Sequence, residues 1–195
     1  HSLVIVFEGM DAAGKGGAIR RITHALDARA YRVHPVAAPS EHERSYPWLW
    51  RFWRDVPRDG MVALFDRSWY GRVLVERVEG FAAENDWMRA FDEINAFEQE
   101  WCRHGAIVCK FWLDVSPEEQ LRRFNERSRT RFKRFKITPD DWRNRERWPQ
   151  YVPAVRDMLA RTHIDAAPWS VIQSDDKYQA RIDILRALCS RLESA

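Results

Sequence analysis

A glycine-rich turn between an apolar strand and a helix constrains this chain more than any other part of it. Residues 3–8 are almost all apolar, and the turn Gly9–Gly17 follows them directly. Gly9, Gly14 and Lys15 have the spacing G-x-x-x-x-G-K of a phosphate-binding loop. Glycines let backbone N–H groups approach phosphate oxygens, and the N-terminus of the following helix favours an anion. We therefore predict a P-loop that binds phosphate through Gly9, Ala12, Ala13, Gly14, Gly16 and Gly17, with Lys15 as its cation.

One position departs from the usual P-loop pattern. Ser or Thr ordinarily follows the lysine, and its hydroxyl binds Mg²⁺, but Gly16 stands there in this chain. Another side chain must then hold the metal, and Asp11 inside the loop is the nearest candidate. The alternative is a strand-to-helix turn that binds no ligand. The apolar strand before the loop and the helical pattern after it favour phosphate binding.

A second candidate metal ligand stands at the end of a later strand. Residues 61–65 form an apolar run, typical of a buried parallel strand, and Asp66 follows it. Because ligand sites of open parallel sheets lie at the carboxyl ends of the strands, an acid here can coordinate Mg²⁺ on a bound phosphate. We predict that Asp66 is the Walker B acid, the alternative being a helix N-cap. Arg67 and Arg72 follow closely and are predicted to clamp phosphates.

Strands and helices alternate along the rest of the chain. Apolar runs predict strands at residues 31–36, 107–113 and 167–172. The helix after the P-loop is expected to end near Arg29, a short helix to span 45–55 and a long helix to span 86–104. This order predicts an α/β fold, namely a three-layer α/β/α P-loop kinase fold with a five-stranded parallel sheet and a helical lid.

The lid is predicted from a segment of concentrated positive charge. Residues 122–147 contain eleven Lys and Arg against four Asp and Glu, a net charge of +7 in a chain whose total is +3. A helix start at Thr138-Pro139 divides the segment into helix, cationic turn and helix. Such a lid brings cations to a transferring phosphoryl group and expels water. We place the lid at about 122–148, the alternative being a solvated, arginine-rich hairpin.

Length and composition limit the class of protein. The 195 residues suit a single domain, which we expect to span 1–195. No apolar run is long enough to cross a bilayer, and no signal peptide is visible. The three cysteines lack metal-ligand spacing and are typical of reduced thiols, so a cytoplasmic location is predicted. The chain begins on a strand without Met, which suggests a piece of a longer protein.

Three motifs together resemble one known family. They are Gly9–Gly17, Asp66–Arg72, and Ala167–Trp169 with Asp176–Lys177. These residues resemble the polyphosphate kinase 2 family over nearly the whole chain. Residues 73–81 and 141–148 are most similar to its polyphosphate:AMP phosphotransferase branch, in which two such domains are fused. This chain resembles the C-terminal domain of that branch, which carries the intact motifs.

The resemblance implies a reaction, a metal and roles for particular residues. The reaction would move a terminal phosphate from inorganic polyphosphate to AMP, giving ADP, or to ADP, giving ATP. Asp11 and Asp66 would hold Mg²⁺, or Mn²⁺ in its place, and would form the catalytic set with Lys15 and Arg67. Arg72 would bind phosphate with them. The basic positions that would bind polyphosphate are Arg123, Arg127, Lys136 and Lys177.

The resemblance also implies partners and leaves other functions open. The expected partners are polyphosphate, an adenine nucleotide and further copies of the chain in a dimer or tetramer, without nucleic acid or membrane. A nucleoside-monophosphate kinase that uses ATP would share the P-loop and the lid. A non-catalytic half-domain that binds polyphosphate is a second alternative, although intact Asp11, Lys15 and Asp66 argue against it. Nucleic-acid binding through the basic segment has no dedicated motif to support it.

Overall fold

A five-stranded sheet whose neighbouring strands all pair in parallel forms the centre of the structure, a computed structural model that describes residues 1–194. Its strands are β1 (Ser2–Gly9), β2 (Tyr31–Pro35), β3 (Val62–Asp66), β4 (Ala106–Asp114) and β5 (Trp169–Gln173), in the order β2-β3-β1-β4-β5. The strand with the P-loop is therefore central, and β3 lies beside it in parallel register, with Phe7 opposite Asp66. The predicted five-stranded parallel sheet is confirmed.

Helices connect the strands and form the lid. They are α1 (Lys15–Thr23), α2 (Glu41–Arg44), α3 (Trp50–Trp53), α4 (Val75–Val78), α5 (Glu84–Arg103), α6 (Pro117–Arg129), α7 (Pro139–Glu146), α8 (Trp148–Thr162) and α9 (Lys177–Glu193). Short 3₁₀ helices span Trp69–Arg72 and Arg131–Lys136. The second of these joins α6 to α7, as the predicted helix, cationic turn and helix require. Within residues 1–194, none of these helices has both the length and the apolar character to cross a bilayer.

Two apolar layers enclose the sheet. On one face α1 and α9 pack through Ile19 and Ile184 against β1 residues such as Ile5. On the other face α5 and α8 pack against the same strand, where Val4 contributes to the core. Because β1 is covered on both faces, its side chains are apolar almost without alternation. The arrangement is the three-layer α/β/α architecture expected from the sequence.

Two predicted helix boundaries were wrong. The first helix ends at Thr23 rather than near Arg29, and the residues that follow form turns before β2. Of the single helix predicted for residues 45–55 only α3 is present, and a separate short helix, α2, precedes that range. Ser40 caps α2, with its hydroxyl accepting from Glu43 N–H at 3.2 Å, and Pro47 lies in the turn between α2 and α3. A proline restricts the residue before it to extended backbone, which explains the interruption.

A fully buried polar cluster fixes the turn that follows β3. Lys110 of β4 donates to Glu98 of α5 at 2.7 Å and to the Tyr70 hydroxyl at 2.9 Å. Tyr70 and Trp69 both donate to the other oxygen of Glu98, at 2.7 and 3.0 Å. Every buried polar group of the cluster thereby has a partner. The 3₁₀ helix after Asp66 is consequently held against α5 and β4, which fixes the end of β3 where the candidate site begins.

Candidate active site

The P-loop joins β1 to α1 through backbone that requires glycine at two of the predicted positions. Gly9 has a φ of 150°, and a Cβ there would lie 2.6 Å from the carbonyl oxygen of Leu113. Gly14 precedes α1 with a φ of 117°. Ala12 also has a positive φ, 62°, which is a strained backbone for a residue with a side chain. The loop therefore makes a tight turn of defined conformation around the N-terminus of α1.

Lys15 lies at the centre of this loop. Its Nζ donates to the carbonyl oxygens of Gly9 at 2.6 Å and Met10 at 3.3 Å. Burial lowers the pKa of Lys15, and the positive charge of Arg67 lowers it further, while the nearby carboxylates of Asp11 and Asp66 oppose this shift. The ammonium therefore lies close to both predicted metal ligands, as a phosphate-binding lysine must.

Asp11 and Asp66 approach the same cleft from two elements. Asp11 of the loop accepts from Arg67 Nη2 at 2.7 Å and, through its other oxygen, from Asn144 Nδ2 at 2.8 Å. Asp66 ends β3, and its Oδ2 lies 4.0 Å from the point that a Cβ at Gly16 would occupy. Asp66 therefore faces the position where most P-loops carry a hydroxyl. Its carboxylate takes part in no ion pair among residues 1–194.

A buried acid behind the loop was missed by the sequence reasoning. Glu8 is almost fully buried and accepts from the Ser68 hydroxyl at 2.8 Å. Burial raises the pKa of Glu8, and the ammonium of Lys15 acts in the opposite direction. The only signal in the sequence was a charged residue at the end of an otherwise apolar strand. The hydrogen bond between Glu8 and Ser68 links β1 to the residue after Arg67. It therefore connects the ends of β1 and β3, the two strands that carry the candidate site.

An open cleft of about 990 Å³ lies in front of the loop. It brings together most of the residues predicted to bind phosphate, metal or polyphosphate, which are Asp11, Ala12, Ala13, Gly14, Lys15, Gly16, Gly17, Asp66, Arg67, Arg127 and Lys136. Gly9 shapes the loop from behind rather than lining the cleft. The cleft is also lined by residues that the sequence reasoning did not assign to it, including Arg20, Arg21, His24, Lys133 and Arg181.

Only part of the positive charge of the lid faces this cleft. Many lid cations pair with acids, such as Arg122 with Glu119 at 2.6 Å and Arg143 with Glu79 at 3.2 Å. Lys133 lines the cleft but also pairs with Glu126 at 2.8 Å. Counting charges along the segment therefore overestimates the charge that the lid presents to a ligand.

Arg123 does not occupy the position predicted for it. Its side chain is 7% exposed, and its guanidinium donates to the carbonyl oxygens of Ala12 at 2.9 Å and Ala13 at 3.1 Å. It also bonds the carbonyls of Ser174 and Asp175 and pairs with Glu119 at 2.7 Å. All donors of Arg123 are engaged within the protein in this conformation, so its predicted contact with a polyphosphate chain would require some of these bonds to break. Arg123 holds the P-loop, α6 and the loop before α9 together from behind.

Arg72 and Lys177 lie outside the cleft as well. Arg72 pairs with Glu76 at 3.0 Å, and its guanidinium stacks 4.9 Å above the Trp48 ring. Lys177 begins α9, and its Nζ lies 5.6 Å from the ring centre of Tyr178. In this conformation neither side chain lines the cleft with the P-loop, so their predicted contacts with phosphate require a different side-chain arrangement.

The base of the lid is fastened to the P-loop by two amides that the sequence did not mark. Asn144 of α7 donates to the Asp11 carboxylate, as described above, and Gln120 of α6 donates to the Asp11 carbonyl at 3.0 Å. Arg145 in turn donates to the Gln120 side chain at 2.9 Å. Movement of the lid relative to the sheet would therefore change the hydrogen bonds that Asp11 accepts.

The acids of the cleft suit a divalent metal that is shared with a ligand. Among residues 1–194, no group of three or more His, Cys, Asp and Glu side chains is arranged to hold a metal by itself. Asp11 and Asp66 are two carboxylates beside a basic cleft, and Mg²⁺ is commonly bound by one or two carboxylates, water and substrate phosphates. The donor set therefore fits Mg²⁺ or Mn²⁺ bound together with a phosphate ligand.

The structure combines a parallel sheet, a P-loop on its central strand, an acid at the end of the neighbouring strand and a helical lid. These features together define a P-loop kinase fold. Over its whole length, residues 1–195, the chain matches the family described as polyphosphate kinase 2 (PPK2). It belongs to this family.

Individual relatives agree with this assignment. The chain is 56% identical over 195 residues to a polyphosphate:AMP phosphotransferase of Pseudomonas aeruginosa and covers 39% of that protein. It is 42% identical over 192 residues to an ADP-polyphosphate phosphotransferase of the same species and covers 63% of it. The chain thus spans about two fifths of the length of the first of these relatives.

Solved structures of relatives have the same fold. A crystal structure of a Pseudomonas aeruginosa protein assigned to polyphosphate kinase 2 superposes with a TM-score of 0.97 at 56% identity, over all of this chain and 42% of that one. A polyphosphate kinase 2 from Arthrobacter aurescens superposes with a TM-score of 0.95 at 33% identity, over 99% of this chain and 68% of that one.

Proposed function

We propose that this chain transfers the terminal phosphate of inorganic polyphosphate to AMP, forming ADP. The observation that carries the proposal is the meeting of Asp11, Lys15, Asp66 and Arg67 in one basic cleft at the carboxyl ends of β1 and β3. Membership of the polyphosphate kinase 2 family supports polyphosphate as a substrate. The printed names of the relatives, polyphosphate:AMP phosphotransferase among them, support AMP as the acceptor.

The cleft suits polyphosphate because five of the cations that line it form no ion pair with an acid among residues 1–194. Arg127 and Lys136 of the lid and Arg20, Arg21 and Arg181 from the sheet side all line it, and none forms an ion pair among residues 1–194. A densely charged, flexible anion gains from several such contacts at once. Backbone N–H groups of the P-loop and Lys15 would bind the terminal phosphate at the N-terminus of α1.

We place the AMP acceptor on the other side of Asp11 and Arg67. A smaller cavity of about 70 Å³ lies there, with Trp112 and Tyr151 in its wall beside Met10, Leu74 and Val75. Aromatic and apolar side chains suit a nucleoside, and Arg67 suits its phosphate. Because Asn144 of the lid and Gln120, which precedes the lid in α6, also line this small cavity, we infer that it widens when the lid moves.

The reaction exchanges one P–O bond for another. The bond from the terminal phosphorus of polyphosphate to its bridging oxygen breaks, a bond to an oxygen of the AMP phosphate forms, and the shortened polyphosphate leaves with the bridging oxygen. Lys15 and Arg67 would offset the charge on the transferring group, and the P-loop would align it with the acceptor. Mg²⁺ held by Asp11 and Asp66 would neutralise further charge on the phosphates. No covalent intermediate with the protein is required.

A donor and acceptor panel tests the proposal. The protein is incubated with Mg²⁺, AMP and either polyphosphate or ATP as the sole donor, and ADP is measured with time. We expect ADP from polyphosphate and little from ATP, with a Lys15→Ala variant as the inactive control. Efficient transfer from ATP with none from polyphosphate would instead identify a nucleoside-monophosphate kinase. Polyphosphate binding without transfer to AMP or ADP would identify a non-catalytic binding domain.

A further inference from the structure

The basic cleft does not end at the P-loop but continues along α1. Arg20, Arg21 and His24 line it beyond the residues that would bind a terminal phosphate. Arg20, Arg21 and His24 are exposed, and they lie one to two turns further along the helix than Gly16 and Gly17. From Lys15 to His24 the helix axis rises about 14 Å, at 1.5 Å per residue. This length exceeds what one phosphate at the N-terminus of the helix can occupy.

A cation from α9 enters the cleft over Gly17, in the first turn of α1 and before Arg20 and Arg21 along the helix. A Cβ placed on Gly17 would lie 2.8 Å from Nη2 of Arg181, so the guanidinium passes directly above this residue. Gly17 has an ordinary negative-φ helical backbone, in contrast to Gly9 and Gly14. The missing side chain at Gly17 is therefore explained by the room it leaves for Arg181. Nothing in the local sequence links these two residues, which are far apart in the chain.

The guanidinium of Arg181 is not used in an ion pair. Arg186 of the same helix pairs with Asp183 at 3.6 Å, whereas Arg181 has no acidic partner among residues 1–194. The Tyr178 ring, an uncharged neighbour, lies 5.4 Å from the guanidinium carbon of Arg181. A half-buried arginine that lines a cleft and lacks a counter-charge is suited to bind an anion.

We propose that Arg181, together with Arg20 and Arg21, forms a distal subsite for the internal phosphates of a long polyphosphate chain, and that Gly17 keeps this subsite open. The inference rests on the proposed function and adds to it a selectivity for chain length. A long donor reaches from the P-loop to the α1 segment and gains the additional contacts. A donor of only a few phosphates ends before it reaches them.

The test compares long and short donors in an Arg181→Gln variant. KM for a long polyphosphate should rise by about tenfold or more, as expected for the loss of one charge-assisted contact. KM for tripolyphosphate should change much less, and KM for AMP should not follow the change for the long donor. Direct titration of long polyphosphate without nucleotide should show the same loss of affinity and a shallower dependence on salt. Arg186→Gln removes the same charge from the same helix outside the cleft and is the matched control.

Gly17→Ala gives an independent test, because the added methyl group should displace the Arg181 guanidinium. If Gly17 acts through Arg181, the double variant Gly17→Ala/Arg181→Gln should bind long polyphosphate no more weakly than Arg181→Gln alone. Additive losses would show that Gly17 serves the bound phosphate directly and would contradict its proposed role.

Two outcomes would overturn the distal subsite itself. In one, Arg181→Gln and Arg186→Gln behave alike with the long donor. In the other, Arg181→Gln weakens long and short donors equally, which would place Arg181 at the reacting phosphates. Either result in an otherwise active enzyme would leave the proposed function standing. If the unaltered protein fails to use polyphosphate of any length, the proposed function itself is wrong.

Discussion

Asp66 is the residue on which the proposed metal site depends most. It faces Gly16, the position at which most P-loops carry a hydroxyl ligand. It takes part in no ion pair among residues 1–194, so no ion pair gives its carboxylate a structural role. We expect Asp66→Asn to lower kcat by at least ~100-fold, since even outer-shell partners of a metal cost 10- to 100-fold when they are lost. The half-saturating Mg²⁺ concentration should rise as well, while the melting temperature should change little.

Asp114 provides the matched control for Asp66. It also ends a strand of the sheet, but its carboxylate accepts from Gln173 at 3.0 Å and it does not line the cleft. Asp114→Asn should therefore retain most of the activity and the ordinary Mg²⁺ dependence. Near-normal turnover by Asp66→Asn, or an equal loss in both variants, would contradict the metal role of Asp66.

Lys15 should set the alkaline limit of polyphosphate use. Burial, followed by the charge of Arg67, lowers the pKa of Lys15 in the free enzyme below its ordinary value. Lys15 binds phosphate only when protonated, so its contribution is complete below the lowered pKa and is lost as the pH rises through it. We expect log(kcat/KM) for polyphosphate, which reports the free enzyme, to fall at a lower pH than an ordinary lysine would cause.

A Lys15→Arg variant separates this titration from other alkaline effects. Its guanidinium stays charged throughout the accessible pH range, so the alkaline fall should move upward even if the absolute rate is lower. The measurement is the pH profile of kcat/KM at a constant ionic strength. Identical alkaline limbs in the two proteins would show that a group other than Lys15 titrates.

The local motifs were predictable from sequence because their residues are neighbours in the chain. Gly9, Gly14 and Lys15 stand at fixed spacing, and the conformations at Gly9 and Gly14 explain why. The contacts that complete the site join distant residues, such as Asn144 to Asp11 and Arg181 to Gly17. A single sequence carries no signal for such pairs, since each depends on how α7 and α9 are placed against the sheet.

At the scale of the elements, α6 serves the P-loop more than it serves the ligand. Its Arg123 is buried and bonds four backbone carbonyls, two of them in the P-loop, and its Gln120 bonds the Asp11 carbonyl. Sequence analysis predicted a helix at the beginning of the basic segment, and α6 confirms it. It could not separate a buried arginine from its exposed neighbour, because the two differ only in which side of α6 faces the sheet.

This difference predicts that the same substitution destabilises the protein much more at Arg123 than at Arg122. Arg123→Met leaves backbone carbonyls and Glu119 without their buried charged partner, and we expect it to cost about 3–5 kcal/mol of unfolding free energy. Arg122 is 59% exposed and pairs with the same Glu119 in contact with solvent, so Arg122→Met should cost far less. Denaturant unfolding of both variants measures the difference.

A milder variant keeps this prediction testable if Arg123→Met does not fold. Arg123→Lys retains the charge but not the several donors of the guanidinium, so it should be intermediate in stability and should lower kcat more than it raises KM for polyphosphate. If Arg123 instead contacted the substrate, Arg123→Lys would leave stability unchanged and would raise KM. That result would restore the role predicted for Arg123 from the sequence.

For the whole molecule, the distribution of charge differs from what the sequence alone suggested. The net charge of +7 in residues 122–147 predicted a basic lid, and the lid is present, but Glu79 and Glu119 from outside the segment pair with its arginines and offset part of this charge. The cleft recovers positive charge from α1 and α9, which lie outside that segment. Charge counted along the sequence therefore predicts a polyanionic ligand but attributes more of the positive charge of the cleft to the lid than the structure does.

The arrangement of unpaired cations predicts that salt weakens polyphosphate binding far more than AMP binding. Arg20, Arg21, Arg127, Lys136 and Arg181 line one cleft, and each contact with a polyanion displaces bound counterions. By the relation for single-stranded polyanions, a fourfold rise in salt should raise KM for polyphosphate roughly 20-fold if three of these cations engage the chain. AMP offers a single phosphate, so its KM should change only a few-fold.

Steady-state kinetics between 50 and 200 mM salt, with the second substrate saturating, would measure both KM values. An Arg127→Gln/Arg181→Gln variant should show a shallower salt dependence of KM for polyphosphate alone. Equal salt dependence of the two KM values would mean that the cleft binds only the terminal phosphate and that the remaining cations serve another purpose.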